Sequence, residues 1–217
     1  MDNVVAIDGP GGAGKSTIAR RLAEELGYLH LDTGAMYRAV TYAALQKGLD
    51  FNDNEALVKL ANSIEIDFNQ AGEIFLNGKN VSQEIRSPEV NQNVSKTAAV
   101  KGVREILVEK QQELAAQHKV VMDGRDITTV VLTEAEHKFY LTASIEERAR
   151  RRFEEMKAKN KEANYKEIKE NIARRDELDS QREHSPLKIA DDAVVVDSTD
   201  LSIEEVVSKI KAIIAGE

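Results

Sequence analysis

Residues 9–16 read Gly9-Pro10-Gly11-Gly12-Ala13-Gly14-Lys15-Ser16 and fit the pattern G-x-x-x-x-G-K-[ST]. They follow a short apolar run and precede a helical pattern, which is the context that this motif requires. Such glycines let backbone N–H groups turn inward around an anion, and the helix start adds partial positive charge. The lysine supplies a point charge to the β- and γ-phosphates, and the serine hydroxyl of Ser16 serves Mg²⁺, directly or through water. We therefore expect an ATP-binding loop made of Gly9, Pro10, Gly11, Gly12, Ala13, Gly14, Lys15, Ser16 and Thr17.

Two other nucleotide-binding classes compete with this interpretation. The same glycines fit the dinucleotide fingerprint G-x-G-x-x-G, and Asp32 ends the second predicted strand, where a ribose-binding acid would lie. An NAD-dependent oxidoreductase, however, leaves Lys15 and Ser16 without a role. A GTPase would need an Asn-Lys-x-Asp motif, but Glu162 and Ala163 follow the sequence Asn-Lys at 160–161. The phosphate loop of a phosphotransferase uses every residue of the motif.

The composition limits the remaining classes. The chain has 217 residues, 41% hydrophobic and 31% charged, which suffices for one sizeable core with a small inserted subdomain. It has no cysteine, which excludes disulfides and thiolate metal sites. Its net charge of -8 disfavours nucleic-acid polymers and anionic membranes as partners. No secretory or membrane-spanning run is seen, so we expect a cytoplasmic protein, and we expect a monomer.

Short apolar runs alternate with helical patterns along the chain. Core strands are predicted at 4–8, 28–31, 120–123, 138–141 and 193–197. The first helix is marked by apolar residues every four positions and is ended by Gly27. Further helices are predicted at 34–47, 100–117, 145–159, 165–178 and 203–214. This alternation predicts an α/β fold, with a parallel sheet covered by helices on both faces.

One stretch departs from the alternation. Residues 64–68 alternate apolar and polar side chains, a turn follows at 69–72, and Asn77-Gly78 is a strong hairpin signal. We therefore expect a small antiparallel insert over about 63–94.

The acceptor of the phosphoryl group must be inferred from polar residues at other strand ends. Thr33 and Arg38 follow the second strand, where Thr33 would cap the next helix and Arg38 would hold a phosphate. Arg125 and Asp126 follow another strand, and Asp126 would accept a hydrogen bond from an exocyclic amine such as cytosine N4. Two arginine-rich helical faces would neutralise charge on a transferring group; they carry Arg148, Arg151 and Arg152, and Arg175, Asp179 and Arg182.

With these motifs in place, the sequence resembles the bacterial cytidylate kinases. The similar segments follow in order along nearly the whole chain, at 7–17, 31–38, 82–86, 94–99, 103–107, 123–131, 147–152, 174–186 and 193–203. The resemblance implies one P-loop kinase chain over 1–217, with a five-stranded parallel sheet. It also implies an acceptor-binding region at about 33–99, which includes the antiparallel insert, and a short lid at about 145–162.

The resemblance also implies roles for individual residues. Cytosine would be read by Ser95, Arg104 and Asp126. The ribose would be held by Asp179 and Arg175, with Tyr37 close by. The acceptor phosphate would be bound by Arg38, Arg125 and Arg182, and the lid would close Arg148, Arg151 and Arg152 over the ATP phosphates.

The implied reaction transfers the γ-phosphoryl group of ATP, with Mg²⁺, to CMP or dCMP. An acceptor phosphate is already anionic, so catalysis would consist of positioning and charge neutralisation by Lys15, Mg²⁺ and the arginines, including Arg125 and Arg182. Other acceptors, namely UMP, AMP or a small alcohol such as shikimate, stay open as alternatives. Asp126 argues against uracil, which presents a carbonyl where cytosine presents an amine.

Overall fold

Five short strands form one parallel sheet at the centre of the chain, in a computed structural model that describes residues 3–158 and 162–216. In chain order the strands are β1 (Val4–Asp8), β2 (Leu29–Asp32), β6 (Val120–Asp123), β7 (His137–Thr142) and β8 (Val194–Asp197). Their order across the sheet is β2-β6-β1-β7-β8, and every neighbouring pair is parallel. The central strand β1 is buried along its whole length, as its continuous apolar run predicts.

Helices cover both faces of this sheet. On one face, α1 (Lys15–Leu26) and α8 (Ile203–Ala215) share an apolar cluster with β1 and β7. On the other face, α5 (Lys101–Gln117) and a π-helical turn (Ile127–Val131) pack on β1 and β6. The predicted α/β fold with a doubly covered parallel sheet is confirmed.

A second core lies beside the sheet. It is built from α2 (Thr33–Gln46), α3 (Asn54–Ser63), α4 (Pro88–Ala99) and part of α5. A three-stranded antiparallel sheet joins it through β3 (Ile66–Phe68) and β4 (Ile74–Leu76), with β5 (Lys79–Asn80) at the edge. The expected small antiparallel insert is therefore present.

The antiparallel part of the insert is shorter than the expected range of 63–94. It ends at Asn80, and the chain then forms a 3-10 turn (Glu84–Arg86) and the helix α4. Ser87 accepts a hydrogen bond from the Val90 backbone N–H at 3.3 Å, and Pro88 occupies the first helical turn. A capping serine followed by proline is a strong helix start, since proline's fixed φ suits that position.

Helices α6 (Ile145–Ala158) and α7 (Tyr165–Ser180) pack against each other beside the phosphate loop. The first predicted arginine-rich face lies on α6. The second is only partly helical: Arg175 and Asp179 lie on α7, which ends at Ser180, and Arg182 lies in the segment that follows. The expected lid, 145–162, includes residues 159–161, which lie outside the described part of the chain. Across residues 3–158 and 162–216, no helix combines the length and apolar character that a bilayer crossing requires.

Candidate active site

The carboxyl ends of β1, β2 and β6 open into a cleft of about 1020 Å³. In a parallel sheet the loops that follow the strands meet at this edge, which makes it the usual ligand site. The cleft wall includes every predicted site residue except Gly9 and Pro10: it contains Gly11, Gly12, Ala13, Gly14, Lys15, Ser16, Thr17, Thr33, Tyr37, Arg38, Ser95, Arg104, Arg125, Asp126, Arg148, Arg151, Arg152, Arg175, Asp179 and Arg182.

The phosphate loop connects β1 to α1 and approaches β7 very closely at its start. Gly9 has a φ of 148°, and a Cβ built on it would lie 1.9 Å from the backbone oxygen of Leu141. Only glycine fits there, because no real Cβ contact is that short. Because Gly9 has no side chain, the loop lies directly against the sheet. Gly9 therefore packs on β7 and does not line the cleft.

Lys15 is buried inside this loop, where its Nζ donates to the backbone oxygen of Pro10 at 2.9 Å. Burial, together with the nearby charge of Arg125, lowers the pKa of Lys15 to about 7. An anionic phosphate would reverse this effect by stabilising the ammonium form. A phosphate bound in this loop would therefore increase the protonated fraction of Lys15.

Ser16 is linked to the end of β6 by a hydrogen bond. Its hydroxyl donates to Asp123 Oδ2 at 2.7 Å, while Asp123 Oδ1 accepts from His30 Nε2 at 2.8 Å. Burial works against ionisation of Asp123, but the hydrogen bond and charge of His30, with Lys15 and Ser16, hold its pKa below the ordinary value. A hydroxyl and a carboxylate side by side at a phosphate loop suit Mg²⁺, which prefers oxygen ligands and binds largely through substrate phosphates.

A buried charge pair lies at the start of the π-helical turn. Arg104 Nη2 donates to Asp126 Oδ2, and the guanidinium of Arg104 lies 5.4 Å from the centre of the Tyr37 ring. Both charged side chains are almost fully buried. Within the described residues, Arg104 Nε is buried without a hydrogen-bond partner. This nitrogen is a buried donor whose hydrogen-bonding capacity is left unused by the described residues.

A second charge cluster joins β6 to α7. Arg125 Nε donates to Asp179 Oδ2 at 2.8 Å, and Arg182 Nη2 donates to Asp179 Oδ1. Although burial opposes ionisation, Arg125 and Arg182 hold the pKa of Asp179 below its ordinary value. Burial lowers the pKa of Arg175 and Arg182, and neighbouring arginines add to that effect. Several cations held this close together favour the binding of an anion.

Arg38 lies on α2 and also lines the cleft. Its Nη1 donates to the Gly34 backbone oxygen at 3.4 Å and its Nη2 donates to Asn91 Oδ1 at 3.5 Å. Burial lowers the pKa of Arg38 to about 10. Its Nε is also buried without a partner among the described residues. Arg38 is therefore a second cation whose hydrogen-bonding capacity is only partly used.

The α6 arginines lie against the phosphate loop. Arg148 Nη1 donates to the Gly11 backbone oxygen at 3.0 Å and to Asp176 Oδ2 at 2.6 Å. Arg151 Nη1 donates to the Ala13 backbone oxygen at 3.4 Å. Arg152 is exposed at the cleft edge and pairs with Glu155 at 2.7 Å. Two of the three arginines thus already contact the loop backbone.

Thr33 does not cap α2 as the sequence suggested. Asp32 is the capping residue, since its Oδ1 accepts from the Ala35 backbone N–H at 3.0 Å. Thr33 instead donates from its hydroxyl to the backbone oxygen of Asp123 at 2.8 Å. Asp32, one residue earlier, binds the free backbone N–H at the helix start equally well. The Thr33 hydroxyl is therefore available to link the end of β2 to β6.

Two buried acids and their partners were not predicted from the sequence. Asp8, at the end of β1, accepts hydrogen bonds from the backbone N–H groups of Ile127 and Thr128 at 2.9 and 2.8 Å. These bonds hold the loop after Asp126 against the phosphate loop, and burial raises the pKa of Asp8. Asp123 was likewise not assigned a role. The pattern that could have indicated Asp8 and Asp123 is that each is the last residue of a predicted core strand.

Comparison with known proteins identifies the family. The family model described as "Cytidylate kinase" matches residues 5–215. A cytidylate kinase from Caldanaerobacter subterraneus subsp. tengcongensis is 52% identical over 207 residues, which cover 95% of this chain and 92% of the relative. A cytidylate kinase from Bacillus cereus is 52% identical over 215 residues, covering 98% and 96%.

Among solved structures the likeness is one of fold alone. An uncharacterised protein from Eubacterium ventriosum superposes with a TM-score of 0.55 at 11% identity, covering 99% of both chains. A shikimate kinase from Bacteroides thetaiotaomicron superposes with a TM-score of 0.50 at 14% identity, covering 98% of both. The family match spans nearly all of the chain and agrees with the phosphate loop at the end of β1. The chain belongs to the cytidylate kinase family.

Proposed function

We infer that the protein transfers the γ-phosphoryl group of ATP to CMP or dCMP and forms ADP with CDP or dCDP. The observation that carries this inference is the buried Arg104–Asp126 pair in a cleft that also holds a phosphate loop. Cytosine presents an amine at C4 beside two acceptors, N3 and O2. A carboxylate that accepts and a guanidinium that donates match this order of groups.

In this proposal Asp126 Oδ1 accepts from cytosine N4, since Arg104 already holds Oδ2. Arg104 donates to the ring acceptors, with Ser95 alongside on the cleft wall. Asp179 and Arg175 bind the ribose next to Tyr37. The acceptor phosphate lies among Arg38, Arg125 and Arg182. Arg125 and Arg182 share one paired carboxylate, Asp179, so these two cations leave positive charge available to an anion.

Transfer requires no general base, because an acceptor phosphate oxygen is already ionised near neutral pH. That oxygen attacks the γ-phosphorus in line, and the bond from phosphorus to the oxygen bridging to the β-phosphate breaks, releasing ADP. Lys15, Arg125 and Arg182 neutralise the charge that spreads over the transferring group, together with Arg148, Arg151 and Arg152 from α6. The arginines bound to the Gly11 and Ala13 carbonyls are close enough to move onto phosphate oxygens.

Mg²⁺ would be held by Ser16, with Asp123 beside it, and by the ATP phosphates. When bound it would supply positive charge that offsets the negative charge of the ATP phosphates. Across the described ranges, no cluster of three or more acidic or histidine side chains forms a separate metal cage. This fits an ion that enters with its nucleotide rather than one held by the protein alone.

A coupled assay of ADP formation tests the proposal directly. The protein is supplied with ATP, Mg²⁺ and one acceptor at a time: CMP, dCMP, UMP, AMP or shikimate. We expect CMP and dCMP to be used with much higher kcat/KM than the other three. A preference for UMP, AMP or shikimate would contradict the assignment of Asp126 and Arg104 to cytosine. A monomeric state and a cytoplasmic location remain predictions, and light scattering on the purified protein tests the first.

A further inference from the structure

His30 is a buried histidine that the proposed chemistry has not yet used. It lies in the middle of β2 with 8% of its surface exposed. Its Nε2 lies 2.8 Å from Asp123 Oδ1. Because an ionised carboxylate can only accept, the histidine nitrogen must be the donor. No sequence pattern singles out this residue, since a histidine in a core strand is usually a packing residue.

The partner of His30 is the carboxylate that contacts the phosphate loop. Asp123 Oδ2 accepts from the Ser16 hydroxyl at 2.7 Å, so the two carboxylate oxygens are held from opposite sides. Ser16 fixes one oxygen, and His30 fixes the other. Without His30 the carboxylate could rotate about its last side-chain bond, because a single hydrogen bond does not define its plane.

A turn of the small antiparallel sheet lies beside the ring of His30. Gly72, in the turn between β3 and β4, has a φ of 73°. A Cβ built there would lie 3.3 Å from His30 Nδ1 and 3.8 Å from His30 Cβ, so the turn passes close to the ring nitrogen that does not bond Asp123. The imidazole thus has the insert turn close to Nδ1 and the Asp123 carboxylate bonded at Nε2.

We propose that His30 is a positioning residue for phosphoryl transfer: it fixes the Asp123 carboxylate beside Ser16 and so sets the geometry in which Mg²⁺ is bound with ATP. The inference rests on the proposed magnesium site at Ser16. The inference also places the insert turn next to this support, because Gly72 lies beside the ring. Partners that orient groups next to a metal typically change metal affinity or activity about 10- to 100-fold when removed.

Two substitutions separate the hydrogen bond from the packing. His30→Phe keeps a ring of similar size but lacks both nitrogens, while His30→Gln keeps an N–H donor on a side chain of similar length. His118→Phe, at an exposed histidine after α5, is the matched control. ATP binding is measured by calorimetry with excess Mg²⁺ and again with EDTA, and thermal melts are recorded for every variant.

We expect the wild type and the control to bind ATP more tightly with Mg²⁺ than with EDTA. In His30→Phe this advantage should fall about tenfold, while affinity in EDTA stays within about twofold of the wild type. Its kcat should fall by a similar factor with little change in the KM for CMP, and His30→Gln should recover most of both losses. If His30→Phe does not fold, the smaller His30→Leu replaces it in the same measurements.

A folded His30→Phe or His30→Leu with the wild-type Mg²⁺ advantage and kcat would overturn the inference. So would a variant that loses ATP affinity equally with Mg²⁺ and with EDTA and is not rescued by glutamine, because that is the behaviour of a packing residue. A wild type that binds ATP equally under both conditions would contradict the proposed magnesium site itself, and the His30 inference with it.

Discussion

Single charged residues in the cleft are held by partners before any substrate is bound. Asp126 holds Arg104, Asp179 holds Arg125, and Asp176 holds Arg148. Burial of an unpaired charge would cost several kcal/mol, so each cation needs a nearby acid or carbonyl oxygen. These partners keep the guanidinium groups oriented, and substrate phosphates then have less ordering entropy to overcome.

Asp126 is expected to select the base. The substitution Asp126→Asn gives an amide that donates or accepts at C4, and so it should lower kcat/KM for CMP and reduce the ratio of CMP to UMP efficiency. The expected loss for CMP is about 1–3 kcal/mol, the scale for a charged hydrogen bond in a desolvated site. Steady-state kinetics with both acceptors measure it.

The matched control for this substitution is Asp200→Asn, at an exposed aspartate after β8. Asp126→Asn also weakens the pairing of the buried Arg104, so a thermal melt must accompany the kinetics. Equal losses on CMP and UMP with an unchanged ratio would show that Asp126 only supports Arg104. That outcome would remove Asp126 from base recognition.

Lys15 is expected to take up a proton when ATP binds. Its pKa of about 7 leaves it mostly neutral at pH 8, and the nucleotide phosphates stabilise the charged form. Uptake should approach about one proton per ATP at that pH, and it should shrink toward pH 6. Calorimetry in two buffers with different ionisation enthalpies measures it, with Lys15→Met as the variant that cannot titrate. A binding heat that does not depend on the buffer would contradict the prediction.

The same shift affects stability with a definite sign. Burial depresses the pKa of Lys15 in the folded protein, so between pH 7 and about 10.5 the unfolded chain binds more protons than the folded chain. The contribution of this residue to the free energy of unfolding therefore rises with pH through that window. It is least favourable below pH 7, where the buried lysine must be charged without a phosphate.

At the level of helices and strands, the periodic patterns predicted the sheet and six of the helices. They missed α3, whose buried residues Leu57, Leu60 and Ala61 span only one turn, and α4, which was assigned to the insert. The Asn77-Gly78 turn was correctly predicted and lies between β4 and β5. The alternation of apolar and polar residues in the insert did not indicate where the strands end. The Ser87-Pro88 pair was the overlooked signal.

The candidate site also has a part that the sequence predicts and a part that it does not. The phosphate loop could be located from spacing alone, because all its groups are consecutive in the chain. The ion pairs around the loop could not be located in this way. Arg104 pairs with Asp126, and Arg125 pairs with Asp179, only because α5 and α7 pack on the loop after β6. Which acid holds which arginine depends on distances that no sequence pattern contains.

The insert and the α6 segment are expected to move toward the cleft when both nucleotides bind. The three-stranded sheet packs mainly on the second core and reaches the central-sheet core through Phe68, and α6 contacts the phosphate loop through arginine side chains. Hydrogen exchange should slow in 66–80 and 145–158 when CMP and a non-hydrolysable ATP analogue are added. The strand β1, already buried, serves as the internal reference. Unchanged exchange in both segments at saturation would count against closure.

The molecule as a whole combines an acidic surface with a cationic cleft. Its formal net charge is -8, although arginines from α2, α6 and α7 converge at the carboxyl edge of the sheet. This separation concentrates positive potential where nucleotides bind and leaves the rest of the surface repulsive to long polyanions.

Salt is therefore expected to weaken substrate binding more than turnover. Raising the ionic strength from about 0.01 M to about 0.15 M shortens the screening length from about 30 Å to about 8 Å. The KM for CMP should rise severalfold, whereas kcat should change little because the closed site excludes most counterions. Kinetics across a potassium chloride series measure both constants. A kcat that falls while KM stays constant would contradict this view of the cleft.

The contact between Gly9 and Leu141 has a consequence for how the gene tolerates change. A library of all single substitutions, scored separately for cellular abundance and for catalytic rescue, should split the phosphate loop into two classes. At Gly9 every substitution should lose both scores, because any Cβ forces the loop and β7 apart. The substitution Lys15→Ala should abolish catalytic rescue, because turnover should fall by several orders of magnitude. It should leave abundance unchanged, since that side chain serves a ligand. Abundant Gly9 variants would show that the loop can be seated in another way.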